Sequence, residues 1–137
     1  MNINKLEAQL IKHEGMMLKP YKCTAGKTTI GVGRNLDDNG ISRVEALMLL
    51  NHDIKQTLSD LYKVFYDFNL YPENVQLVLA DMMFNLGYTR FNSFKKMVQA
   101  VKDQDYTKAA EEMKDSNWFN QVGDRGHNLY DIMLEEI

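Results

Sequence analysis

The stretch His13–Leu36, HEGMMLKPYKCTAGKTTIGVGRNL, decides how the chain is read, because the hydrophobic period changes inside it. Before it, Ile3, Leu6, Leu10 and Ile11 trace one face of a helix; Asn4 and Glu7 are spaced as a capping box, and Gly15 can end the helix. Glu14 then lies at the edge of the apolar stripe. From Pro20 to Gly33 the period falls to two, with Thr28, Ile30 and Val32 alternating with Thr29, Gly31 and Gly33 after an AGK turn. This predicts a small hairpin. With a loop of Ala25 to Lys27, Cys23 pairs opposite Thr29 and both side chains leave the same face.

After LDDNG the pattern is helical throughout. Ser42 and Glu45 form a capping box, and Val44, Leu47, Leu50, Ile54, Leu58 and Leu61 make a stripe able to join a small lobe to a larger one. Pro72 suits the start of the next helix, where Val75, Val78, Leu79, Met82, Met83 and Leu86 are apolar on most sides before Gly87. That helix is expected to be central and buried. Shorter helices follow around Phe94–Val101, Asp105–Met113, Trp118 and Leu129–Met133. The fold class read from this order is mainly α, of the α+β kind. One domain, 1–137, is expected, with a small hairpin lobe at about 15–41, a helical lobe from 1–14 and 42–137, and the site in a cleft between them.

Composition excludes several functions. Sixteen basic against nineteen acidic residues leave a net charge of −3, which gives no support to a nucleic-acid binder relying on phosphate neutralisation. One cysteine makes no internal disulfide, so folding needs no oxidising compartment. No apolar run approaches the ~20 residues of a membrane span, and the first twenty residues lack the apolar core of a secretory signal. A cytoplasmic origin without membrane attachment is the expectation.

Candidate chemistry is sparse. Asn35, Asp37, Asn39 and Gly40 mimic the start of a calcium loop, but the position for the closing bidentate acid is Ala46, so a plain turn is expected and no metal. His13, His52 and His127 have no paired metal spacing, and the nine methionines sit at helical spacing that suits core. Glu14, at the end of an apolar face, is expected to be partly desolvated. That environment favours a proton donor, and a salt bridge to an arginine is the structural alternative. Cys23 is either a buried small hydrophobe or a reactive group; its thiol ionises near neutrality only if a neighbour such as Lys22 or Lys27 favours the charged form.

The stretch EGMMLKPYKCTAGKTTIGVGRNL resembles the signature of the phage-type lysozymes of glycoside hydrolase family 24, the T4-like endolysins. There a catalytic Glu is followed after eight residues by Asp or Cys and after five more by Thr. MMFNLG at Met82–Gly87 and SNWFNQVGDRG at Ser116–Gly126 resemble later segments of the same family, in order. The resemblance implies a lysozyme-like fold and hydrolysis of the β-1,4 bond between N-acetylmuramic acid and N-acetylglucosamine. The implied partner is bacterial peptidoglycan, met by a monomer without a cofactor, released from a host cytoplasm to act on the wall. It implies Glu14 as general acid, Cys23 in the Asp/Cys position and Thr29 as a residue placing water. Phe84 and Asn85 are implied as cleft-lining residues, with Arg125 against the catalytic glutamate.

Departures touch the sugar contacts. Arg34 and Asn35, both at substrate-lining positions, stand where the T4-like pattern has a histidine and a leucine, and Asn117 replaces an arginine before Trp118. The shorter chain before Ser42 implies a reduced small lobe and fewer sugar subsites. For Cys23 three roles stay open: base, nucleophile, or a neutral group that positions water with Thr29. A non-catalytic wall-binding or virion structural module is the alternative to an enzyme.

Overall fold

A computed structural model of the chain describes residues 1–135 and is mainly helical, with one three-stranded antiparallel sheet. Met1–Leu49 form one compact unit and the chain from Leu50 onward a second. The first helix therefore groups with the sheet, where the sequence reading had put it with the long helices.

In the first unit, helix α1 spans Ile3–Glu14. Its cap is Asn2, not Asn4: the Asn2 side-chain oxygen accepts from the Lys5 N–H at 3.0 Å, the reach an N-cap needs to satisfy the third helical amide. Gly15 ends the helix as expected, at φ 78° with its N–H on the Ile11 carbonyl.

Strands β1 (Met17–Lys22), β2 (Thr28–Gly31) and β3 (Arg34–Asn35) pair in that order. Two details differ from the sequence reading. The turn between β1 and β2 is centred on Thr24–Gly26, because Gly26 takes φ 78° and the Cys23 N–H bonds the Lys27 carbonyl at 2.9 Å. Tyr21 then faces Thr29 and Lys22 faces Thr28. Cys23, two residues beyond Tyr21, lies diagonal to Thr29 and still shares its face. The expected strand to Gly33 also stops early: Val32 and Gly33 turn the chain into β3, which pairs Thr29 with Asn35 and Ile30 with Arg34. The register of β1 slips between Met17 and Tyr21, around Pro20, which has no N–H for the ladder.

Helix α2 (Leu36–Asn39) follows directly, and α3 (Arg43–Val64) opens with the capping box read from the sequence. The Glu45 N–H donates to Ser42 Oγ at 3.1 Å and the Ser42 N–H to Glu45 Oε1 at 2.9 Å. The division between units falls within α3, and of its expected stripe only Leu61 is buried.

The second unit holds the core. Helix α4 (Glu73–Leu86) buries all six residues expected of it, from Val75 to Leu86, each such side chain contributing about 1.5–3 kcal/mol. Around it lie α5 (Tyr88–Asn92), α6 (Lys95–Lys102), α7 (Tyr106–Lys114), α8 (Asn117–Val122) and α9 (Asp124–Leu134). Met82, Met83, Met97, Met113 and Met133 fill this core, together with edge-on Phe65 and Phe91. Gly126 lets α9 approach α8, since a Cβ there would stand 2.9 Å from the Phe119 ring.

Candidate active site

Glu14, Cys23, Thr29, Arg34 and Asn35 all fall in the first unit. Glu14 is the last residue of α1, and its carboxylate lies directly on Gly33 in the β2–β3 turn: a Cβ at Gly33 would meet Glu14 Oε2 at 2.9 Å. Gly33 also holds φ 67°, so both its backbone and its missing side chain suit that approach. The partial desolvation expected of Glu14 is absent. Glu14 is exposed and α1 buries none of its residues, so the apolar stripe beside it does not cover the carboxylate.

Thr29 is buried, at 3% exposure, and its hydroxyl donates to the Lys27 carbonyl at 2.9 Å. Cys23 is half-buried and free. The backbone N–H groups of Lys27 and then Ala25 pull its thiol below the ordinary range; burial opposes them, and the Thr29 hydroxyl adds to the lowering. The cause differs from the lysine charges expected. Lys22 Nζ bonds Thr28 Oγ1 at 2.7 Å on the other face of the hairpin, and Lys27 Nζ bonds Asp38 at 3.2 Å. Thr29 has one hydroxyl proton. Donated to Lys27 it leaves the oxygen free to accept from water; turned to the sulfur it stabilises a thiolate.

Arg34 and Asn35 are engaged within the unit. Arg34 makes a two-pronged pair with Glu45, at 3.0 and 2.9 Å, and also donates to the Gly40 carbonyl at 3.2 Å. This pairing, with the Ser42 contacts, holds Glu45 down to about 2. Asn35 caps α2, accepting from the Asp38 N–H at 3.0 Å and donating to Asp38 Oδ2 at 2.9 Å. Sequence reading named both as substrate-lining; their local role is to tie the sheet to the helices that follow.

In the second unit, Asn85 Oδ1 accepts from Trp118 Nε1 at 2.8 Å, which leaves the amide NH2 of Asn85 for other partners. Phe84 is partly exposed in a shallow groove of about 270 Å³ lined also by Leu77, Asp81 and Arg125. Arg125 Nε pairs with Asp81 Oδ1 at 2.7 Å, a partner the sequence reading did not anticipate. A cavity of about 640 Å³ lies among Arg90, Lys95, Glu112, Ser116 and Trp118, all in the second unit, whereas the three catalytic candidates fall in the first. Asp37, expected only as part of a plain turn that mimics a calcium loop, accepts the Thr28 N–H at 2.8 Å through its carboxylate, a contact that side-chain spacing does not announce. Among the described residues no group of three or more His, Cys, Asp or Glu could hold a metal, and no helix is long and apolar enough to cross a membrane.

The family model described as Phage lysozyme matches residues 11–131. Relatives include an endolysin of Acyrthosiphon pisum secondary endosymbiont phage 1, 32% identical over 82% of this chain and 77% of that protein. A probable T4-type lysozyme 2 of Dictyostelium discoideum is 24% identical over 95% of this chain and 94% of its own length. The pre-baseplate central spike protein Gp5 of Enterobacteria phage T4 is 26% identical over 97% of this chain, which spans 28% of that protein.

Proposed function

We propose that this chain, which belongs to the phage lysozyme family, is a muramidase that hydrolyses the β-1,4 bond between N-acetylmuramic acid and N-acetylglucosamine in bacterial peptidoglycan. Glu14 gives a proton to the leaving glycosidic oxygen. Cys23 and Thr29 hold and activate the water that attacks the anomeric carbon from the opposite face of the ring, with inversion of configuration. An inverting site keeps acid and base about 6.5–9.5 Å apart so that this water fits, whereas a sulfur nucleophile needs about 5 Å. Phe84 stacks on a sugar and the free NH2 of Asn85 donates to it.

The observation that carries this reading is the seat of Glu14 on Gly33, in the same compact unit as Cys23 and Thr29. It joins the first member of the Glu–Cys–Thr pattern to the three-stranded segment whose first hairpin bears Thr29 on a strand and Cys23 at its turn. The lowered Cys23 thiol supports a base at the second position, because the thiolate is the form that takes a proton from water. The exposed position of Glu14 is consistent with an acid that becomes desolvated only under bound sugar.

The test is turbidity loss and reducing-end release from purified peptidoglycan by wild type, Glu14→Gln, Cys23→Ser and Cys23→Asp. Activity in wild type and Cys23→Asp, with none in Glu14→Gln and most lost in Cys23→Ser, is the expected set. The similarity to a phage spike protein favours one second reading, a virion component that binds wall without cleaving it. Pelleting with peptidoglycan and no release of reducing ends by folded wild type would select it.

A further inference from the structure

One peptide group at the start of β2 touches both proposed water-handling residues. The Lys27 carbonyl accepts the Thr29 hydroxyl at 2.9 Å and the Cys23 N–H at 2.9 Å. The other end of that peptide is the Thr28 N–H, which donates to Asp37 Oδ2 at 2.8 Å. A peptide group is planar, so a hold on its N–H also fixes where its C=O points.

Asp37 lies in the first turn of α2, whose start is set by the Asn35 cap. The next residue, Asp38, bonds Lys27 Nζ at 3.2 Å, so two successive acids grip two successive residues of the hairpin. The charged groups facing Asp37 are Lys22 from β1 and Lys27. Together with the Thr28 N–H, which contributes most, they keep Asp37 below the ordinary carboxylate range against the opposing effect of burial. An ionised acceptor on the N–H polarises the amide and makes its carbonyl a better acceptor for Thr29 and Cys23. The NLDDNG segment, which begins like a calcium loop and lacks the closing acid, thus has a different use for its carboxylates.

We infer that Asp37 is a positioning residue for the proposed Cys23–Thr29 pair, acting through the Lys27–Thr28 peptide to orient the Thr29 hydroxyl and the turn amides that face the Cys23 sulfur. The inference rests on the water-handling role given to that pair. Asp37→Ala removes the hold, Asp37→Asn keeps a carbonyl acceptor in the same place, and Ser42→Ala weakens the α3 cap in the same unit without touching the hairpin.

The experiment follows Cys23 alkylation by iodoacetamide against pH, alongside kcat and KM on peptidoglycan, for the full chain and these variants. In Asp37→Ala the alkylation midpoint should rise towards that of a free thiol, and kcat should fall about tenfold with KM little changed. Asp37→Asn should recover most of both, and Ser42→Ala should lose stability with its alkylation midpoint unmoved. An Asp37→Ala chain that melts earlier but keeps the wild-type midpoint and kcat overturns the inference, leaving Asp37 a purely structural clamp. Alkylation needs no turnover, so failure of the muramidase reading and failure of this one are told apart. If Asp37→Ala does not fold, acid titration of wild type by NMR replaces it: the Thr28 amide and the Thr29 side chain must move with one shared midpoint. A Thr29 signal flat through the Thr28 transition has the same overturning force.

Discussion

Replacing Gly33 by alanine separates the geometry of Glu14 from the stability of the sheet. The backbone at Gly33 has φ +67°, a conformation that costs an L-residue about 1–2 kcal/mol. For a domain of this size that is a melting shift of roughly 3–6 °C. The new methyl would stand 2.9 Å from Glu14 Oε2, where ordinary contact begins at 3.4 Å. That oxygen ends a flexible side chain, so it retreats by about half an ångström at little further cost in stability. A whole ångström of misplacement can cost about a hundredfold in rate, so half of it should cost about tenfold in kcat. Gly31→Ala is the matched control, with φ +68° and nothing within 4 Å of the added Cβ. Both variants should lose similar stability by thermal melt, while reducing-end assays should show the kcat loss in Gly33→Ala alone. Equal kcat in the two variants would refute the claim that the Glu14–Gly33 contact sets the acid's position.

Other outcomes follow from named contacts. Cys23 should alkylate with a midpoint below that of a free thiol measured alongside it, and activity that needs the thiolate should rise with pH through that midpoint. Cys23→Asp should move the acid limb of the profile towards the aspartate range, near pH ~4. Glu45 is held at about 2, below its ordinary 4.5, so its contribution to stability is complete above the ordinary value and lost as pH falls through the lower one. Melting temperature should accordingly drop further between about pH 5 and pH 2 in wild type than in Glu45→Gln. Leu79→Ala, at a fully buried site in α4, should cost about 2–5 kcal/mol in urea unfolding and leave KM unchanged in whatever fraction stays folded.

What the sequence made legible was the part governed by local rules. The Ser42–Glu45 box, the glycine stops at Gly15 and Gly87 and the buried run of α4 each follow from spacing alone. Period two found the hairpin but not its turn, because Cys23 through Lys27 contains several residues that tolerate a bend and only the φ of Gly26 decides among them. The third strand was missed because TIGVG alternates through a point where the chain reverses. The pattern Glu14, Cys23, Thr29 was visible; the contacts of its members were not. Exposure of Glu14, the backbone donors around Cys23 and the pairing of Arg125 with Asp81 depend on residues distant in sequence or on amides that carry no sequence signal. Asp37 of NLDDNG reads as part of a plain turn for the same reason: the Thr28 N–H that occupies it cannot be read from side-chain identity.

The central claim is tested most directly by chemical identification of the ends the protein makes. Purified peptidoglycan is digested with wild type and with Glu14→Gln, the products are reduced with borohydride, and the reduced amino sugar is identified after acid hydrolysis. Reduced muramic acid from wild type, and none above background from a Glu14→Gln chain that melts as wild type does, is the expected result. Reduced glucosamine, no reduced sugar at all from folded wild type, or equal muramic acid release by Glu14→Gln would contradict it.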